Sequence, residues 1–85
     1  MKKLMHFTAT WCLPCKQMKP IIEEFRFSNK DVEYHNIDVD LPENEELIKD
    51  FEIRGVPTFI VLTDNQVTNR HTGIANKDRL ESLVN

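Results

Sequence analysis

What the sequence lacks narrows its chemistry before any motif is considered. Beyond Cys12 and Cys15 the 85 residues hold no cysteine. A structural zinc site wants four ligands, and only His6, His35 and His71 are available to join the pair. None of them has a paired-ligand spacing. Haem attachment needs a histidine directly after the second cysteine, where this chain has Lys16. No metal or other cofactor is therefore expected. There is no excess of positive charge either: the net charge is −3, so no basic field invites nucleic acid or anionic lipid. No apolar run approaches the roughly 20 residues that cross a bilayer. Met1–Phe7 opens with a charge, as a signal peptide does, but His6, Thr8 and Thr10 break the apolar stretch that would have to follow. A cytoplasmic protein that does not engage membranes is the expectation. Repeats, low-complexity tracts and linkers are also absent, so residues 1–85 are expected to fold as one domain, acting as a monomer. At this size a chain buries only about 60–65% of the surface its unfolded form exposes.

What is present is Trp11-Cys12-Leu13-Pro14-Cys15. It lies just after an apolar run and just before a helical pattern. The first sulfur then stands at a helix start, where unpaired N–H groups and the positive end of the dipole favour a thiolate. As a staple the pair is weak. Closing a loop of about 4 residues gives roughly 2 kcal/mol, against about 3 for a loop of about 15. Structural disulfides are also rare in a reducing compartment. A short lone bridge points to reversible redox work.

The pattern around it alternates strand and helix. Lys3–Thr8 reads as a central strand, and Leu13–Phe27 as a helix whose buried face is Met18, Ile21, Ile22 and Phe25. Pro20, inside that helix, removes a backbone bond and predicts a kink near Lys16–Lys19. Val32–Val39 reads as a second strand, giving a βαβ unit with parallel strands and a right-handed crossover. Pro42 opens a shorter helix with Leu47, Ile48 and Phe51 as its buried face. Thr58–Leu62 and Val67–Thr72 form a hairpin about Asp64-Asn65. Asn76 caps a last helix that buries Leu80, Leu83 and Val84. The expected architecture is α/β, in the order β-α-β-α-β-β-α. It has a four-stranded mixed sheet and three helices on its two faces.

Several runs together resemble thioredoxins: Ala9–Lys16 around the cysteines, Pro20, Asn36-Ile37-Asp38, Ile53–Thr58 with Gly55-Val56-Pro57-Thr58, and Thr72-Gly73. The likeness spans nearly the whole chain. It implies a minimal thioredoxin-like fold with strand order 2-1-3-4 and a cis Val56-Pro57 bond beside Cys12. Three features depart from the family pattern. The usual first strand and helix are missing. Leu13 stands where thioredoxins normally have glycine, a position that tunes the redox potential. The buried aspartate of the family is His6 here, and its lysine partner position is Tyr34.

The resemblance implies protein-disulfide reduction, with Cys12 as the nucleophile and Cys15, one helical turn on and expected to be more buried, as the resolving thiol. Its partners would be disulfide-containing proteins and a thioredoxin reductase. Trp11, Leu13, Pro14, Val56, Pro57 and Gly73 are candidate supporting and docking residues. Trp11 equally serves to pack its loop, and Gly73 equally serves as a plain turn residue. His6 has two readings: acceptor of the Cys15 proton, or a neutral, hydrogen-bonded core histidine. Two other functions compete. One is a glutaredoxin-like donor dedicated to ribonucleotide reductase, but His71–Asn76 lacks the paired glycines and the aspartate of glutaredoxins. The other is a non-catalytic metal-binding or interaction module on the same scaffold.

Overall fold

The computed structural model describes residues 1–85. Its elements are β1 (Lys2–Thr8), α1 (Leu13–Gln17), α2 (Lys19–Ser28), β2 (Glu33–Asp38), a 3-10 turn (Pro42–Asn44), α3 (Glu45–Asp50), β3 (Thr58–Thr63), β4 (Gln66–Thr72) and α4 (Lys77–Val84). The strands form one sheet in the order β2-β1-β3-β4. β1 runs parallel to β2, with Phe7 beside Ile37, and antiparallel to β3, with His6 beside Phe59. The βαβ reading, the hairpin and the strand order that the resemblance implies are all present.

Two helices differ from the sequence expectation. The single Leu13–Phe27 helix is two, so the molecule has four α-helices where three were expected. Proline has no N–H, so Pro20 cannot donate to Lys16. The chain instead tightens at Met18, whose N–H reaches the Cys15 carbonyl, and the α pattern resumes with Ile22 N–H on the Met18 carbonyl at 2.8 Å. The kink predicted at Lys16–Lys19 is this break. The helix opened by Pro42 begins as a 3-10 turn, closed by Asn44 N–H on the Leu41 carbonyl at 3.0 Å, and only then becomes α3. Leu47, Ile48 and Phe51 face the sheet but stay half-buried, not buried as expected.

The alternation of side chains along β1 and β3 feeds two cores. Leu4, Phe59 and Val61 meet Met18 at the junction of α1 and α2, Ile22 and Phe25 from α2, and Leu80, Leu83 and Val84 from α4. Met5, Phe7, Ile37 and Ile60 occupy the other face, under α3. Asp64 and Asn65 both take positive φ, 51° and 70°, as the two-residue hairpin requires. Asn76 caps α4, its side-chain oxygen accepting from Arg79 N–H at 2.8 Å. The two sheet edges are β2 and β4, and both carry mostly polar, exposed side chains. No helix is long and apolar enough to cross a membrane.

Candidate active site

β1 is bonded on both sides, so the loop that leaves its carboxyl end starts from a rigid base. Cys12 follows as the N-cap of α1, and Pro14 occupies the first turn, where no N–H is needed. Cys12 and Cys15 are joined as a disulfide with Cα atoms 5.2 Å apart. The Cys15 N–H points at Cys12 Sγ from 3.2 Å. In the reduced state that donor favours a thiolate on Cys12, as does the start of the helix. Cys12 Sγ also lies 3.7 Å from the Val56 carbonyl oxygen.

The two sulfurs do not differ in burial as the sequence suggested. Cys12 is 4% and Cys15 is 6% exposed. Ala9 and the half-buried Val39 and Val56 pack around both. What distinguishes them is position: Cys12 holds the cap, and Cys15 supplies the N–H that points at it.

Val56-Pro57 is cis, as the resemblance implied. Pro57 is buried, so its ring is not part of the exposed surface beside the disulfide. That surface is Trp11 and Leu13, 68% and 64% exposed. Trp11 and Val56 edge a shallow groove of about 260 Å³ with Val39, Ile48 and Ile53. The indole N–H of Trp11 donates to Asp40 Oδ2 at 2.7 Å, and Asp40 N–H is held in turn by Asp38 Oδ1 at 2.9 Å. Asp40 has no role in the reading of the sequence. Its one signal was its place just beyond a strand that lies beside β1.

Gly73 has φ of +103°, a conformation side chains disfavour, and its N–H donates to the Pro57 carbonyl at 2.8 Å. The space a Cβ would take there is open. The turn therefore requires glycine for its backbone angle. Arg70, on β4, places its two terminal nitrogens on the Phe51 and Glu52 carbonyls at 2.6 and 2.7 Å, tying the end of α3 to the sheet. It was missed in the sequence, because no local pattern marks a contact across 18 residues.

His6 is 3% exposed. Its ring stacks on Phe59 with centroids 4.5 Å apart, and Nδ1 lies 2.8 Å from the Tyr34 hydroxyl. Nε2 is buried without a partner. Burial lowers its pKa to about 4, so the ring is neutral at pH 7. A ring so poised does not hold a proton as a stable cation. Burial also raises the Tyr34 pKa, so that hydroxyl keeps its proton. His6, Tyr34 and Cys15 line one cleft of about 490 Å³ between α1–α2 and β2.

No three His, Cys, Asp or Glu side chains cluster to hold a metal ion. The chemistry that the geometry provides is breaking and making one sulfur–sulfur bond at the end of a central strand.

Comparison with known proteins agrees. The thioredoxin family model matches residues 1–85. Thioredoxin from Mycoplasmoides gallisepticum is 35% identical over 83 residues, spanning 98% of this chain and 81% of that protein. Thioredoxin from Bacillus subtilis is 34% identical over 82 residues, spanning 96% and 78%. The crystal structure of oxidised mitochondrial thioredoxin 3 from Saccharomyces cerevisiae superposes with a TM-score of 0.86 at 35% identity, covering 98% of this chain and 76% of that one. With the capped cysteine pair, the strand order and the full-length match in agreement, this chain belongs to the thioredoxin family and is a thiol–disulfide oxidoreductase.

Proposed function

We propose that the chain reduces disulfides of other proteins in the cytoplasm, as a monomer, and is returned to the dithiol by a thioredoxin reductase. The observation that carries the assignment of roles is the Cys15 N–H directed at Cys12 Sγ on the helix cap. In the dithiol form Cys12 is the thiolate. It attacks one sulfur of the substrate disulfide, and the other leaves as a thiolate that takes up a proton. Cys15 then loses its proton and attacks Cys12 Sγ in the mixed disulfide; the substrate sulfur leaves as a thiolate and takes up a proton, and the bond between the two cysteines is restored.

Trp11, Leu13 and Val56 form the apolar docking surface. Pro14 fixes the first turn of α1, and the open space at Gly73 leaves room for a substrate backbone. Pro57 forms a buried wall behind Val56.

Insulin reduction with dithiothreitol tests the activity, and a pair of traps tests the roles. The Cys15→Ser variant is expected to accumulate a mixed disulfide with insulin through Cys12, and the Cys12→Ser variant is expected to accumulate none. The opposite pattern reverses the assignment. Tight zinc binding without insulin reduction would put the scaffold reading in its place.

A further inference from the structure

His6 Nε2 is the one buried side-chain polar atom without a hydrogen-bond partner. The rest of its ring is fully engaged. Phe59 covers one face, and Tyr34 holds Nδ1. Which nitrogen carries the proton follows from Tyr34. Its hydroxyl oxygen accepts from Asn36 Nδ2 at 3.5 Å, and the Arg26 guanidinium lies over its ring at 4.7 Å. Of the two side chains that bond this hydroxyl, His6 is the one with a ring nitrogen able to accept its proton. With the Tyr34 hydroxyl as the donor, the neutral ring carries its hydrogen on Nε2. The unmet group is a donor, and a buried donor with nothing to bond raises the free energy of the state in which it is stranded.

That state is the oxidised one. Among the groups lining the cleft beside His6, the Cys15 sulfur is the one whose capacity to accept a hydrogen bond changes with redox state. In the disulfide it is a poor acceptor. As a thiol or thiolate it is a better one.

We propose that His6 Nε2–H is a redox-tuning donor for Cys15, set in that tautomer by Tyr34: stranded while the disulfide is closed, it bonds the Cys15 sulfur once the bond is cut. The donor therefore favours the dithiol and makes the pair more oxidising than it would be without it. Tyr34 is a positioning residue that acts through His6. This rests on the dithiol–disulfide exchange assigned above and adds what sets its equilibrium.

The test is the equilibrium itself. Glutathione at fixed ratios of thiol to disulfide exchanges with the Cys12–Cys15 pair. Two glutathione thiols supply two electrons and two protons, one glutathione disulfide forms, and the protein S–S bond becomes two thiols. His6→Phe keeps an aromatic ring on Phe59 and removes the donor. It is expected to shift the equilibrium constant about tenfold toward the disulfide, a potential about 30 mV lower. Tyr34→Phe lets the two tautomers mix and is expected to shift it in the same direction by a smaller factor. A folded His6→Phe variant with a constant within twofold of the native one overturns the proposal. So does an opposite shift.

Nitrogen-15 NMR of the unmodified protein gives a second measure that needs no substitution. Hydrogen on Nε2 in both redox states, with a stronger hydrogen bond there only after reduction, supports the proposal. Hydrogen on Nδ1 overturns it. A Cys12–Cys15 pair that does not exchange with glutathione at all would overturn the redox reading itself, a result distinct from exchange with an unshifted constant.

Discussion

The two faces of the sheet are built from the same strands and are covered very differently. On the α2/α4 side, ten residues form one buried cluster, closed by two helices that each contribute residues to it. On the α3 side, four residues are buried, and the helix above them buries none of its own. The disulfide loop sits where both faces end. The sealed face holds His6 and Tyr34 near Cys15, where a fixed geometry matters. The shallow face offers the groove beside Trp11, where a partner has to be admitted. Tight packing fixes side-chain geometry, and loose packing leaves apolar surface for another molecule to cover.

Four measurements sharpen or break this contrast. The largest effect is expected from Phe59→Ala on the sealed face. Phe59 is fully buried, and its loss should cost about 3–5 kcal/mol in urea unfolding. A cost near that of a shallow-face truncation would erase the distinction.

Next comes acid. His6 titrates near 4 in the fold, against about 6.5 when unfolded. Below pH 6.5 the unfolded chain binds a proton that the folded chain refuses. Stability is therefore full above pH 6.5 and falls as the pH drops toward 4, by about 3 kcal/mol from this group. The difference in stability between the native protein and His6→Phe, followed over that window, isolates its share. A difference that stays flat with pH means that the ring is not sealed.

Ile48→Ala, on the half-buried face of α3, should cost only about 1–2 kcal/mol by the same unfolding measurement, because its site is already partly solvated. The smallest change in stability is expected from Trp11→Phe, under about 0.5 kcal/mol, since the indole is exposed and gives up a surface hydrogen bond to Asp40. Its effect belongs in binding: KM for insulin should rise several-fold with kcat nearly unchanged. A large loss of stability instead would make Trp11 part of the packing.

Much of the architecture could be read from the residues, because alternation and helical spacing report which side chains face inward. Pro20 located the interruption between α1 and α2, but a missing donor does not say whether an axis bends or breaks. Carbonyl partners of neighbouring turns decide that, and here Met18 N–H closes on Cys15. The spacing of Leu47, Ile48 and Phe51 identified the inner face of α3. It carries no information on depth, which depends on how much material lies above. At the site, the cysteines and their cap were legible because their meaning is local. Tyr34 as the partner of His6 was legible through the resemblance, and the 2.8 Å contact bears it out, whereas Asp40 under the Trp11 indole and Arg70 on the end of α3 were not legible. Each joins residues from different elements, and only the assembled sheet brings them together.

The polar edges of the sheet have a colloidal consequence. β2 and β4 each pair on one side only, leaving a row of backbone groups that another chain's strand would fit. Both rows are guarded by side chains that resist such stacking. Glu33, itself held by Lys3 and His35, and Asp38 stand on one edge, and Asn69 and Arg70, occupied with backbone carbonyls, on the other. With so thin a layer over one face, the chain carries charged or already engaged side chains along both of its open strand edges, and these disfavour edge-to-edge pairing between copies.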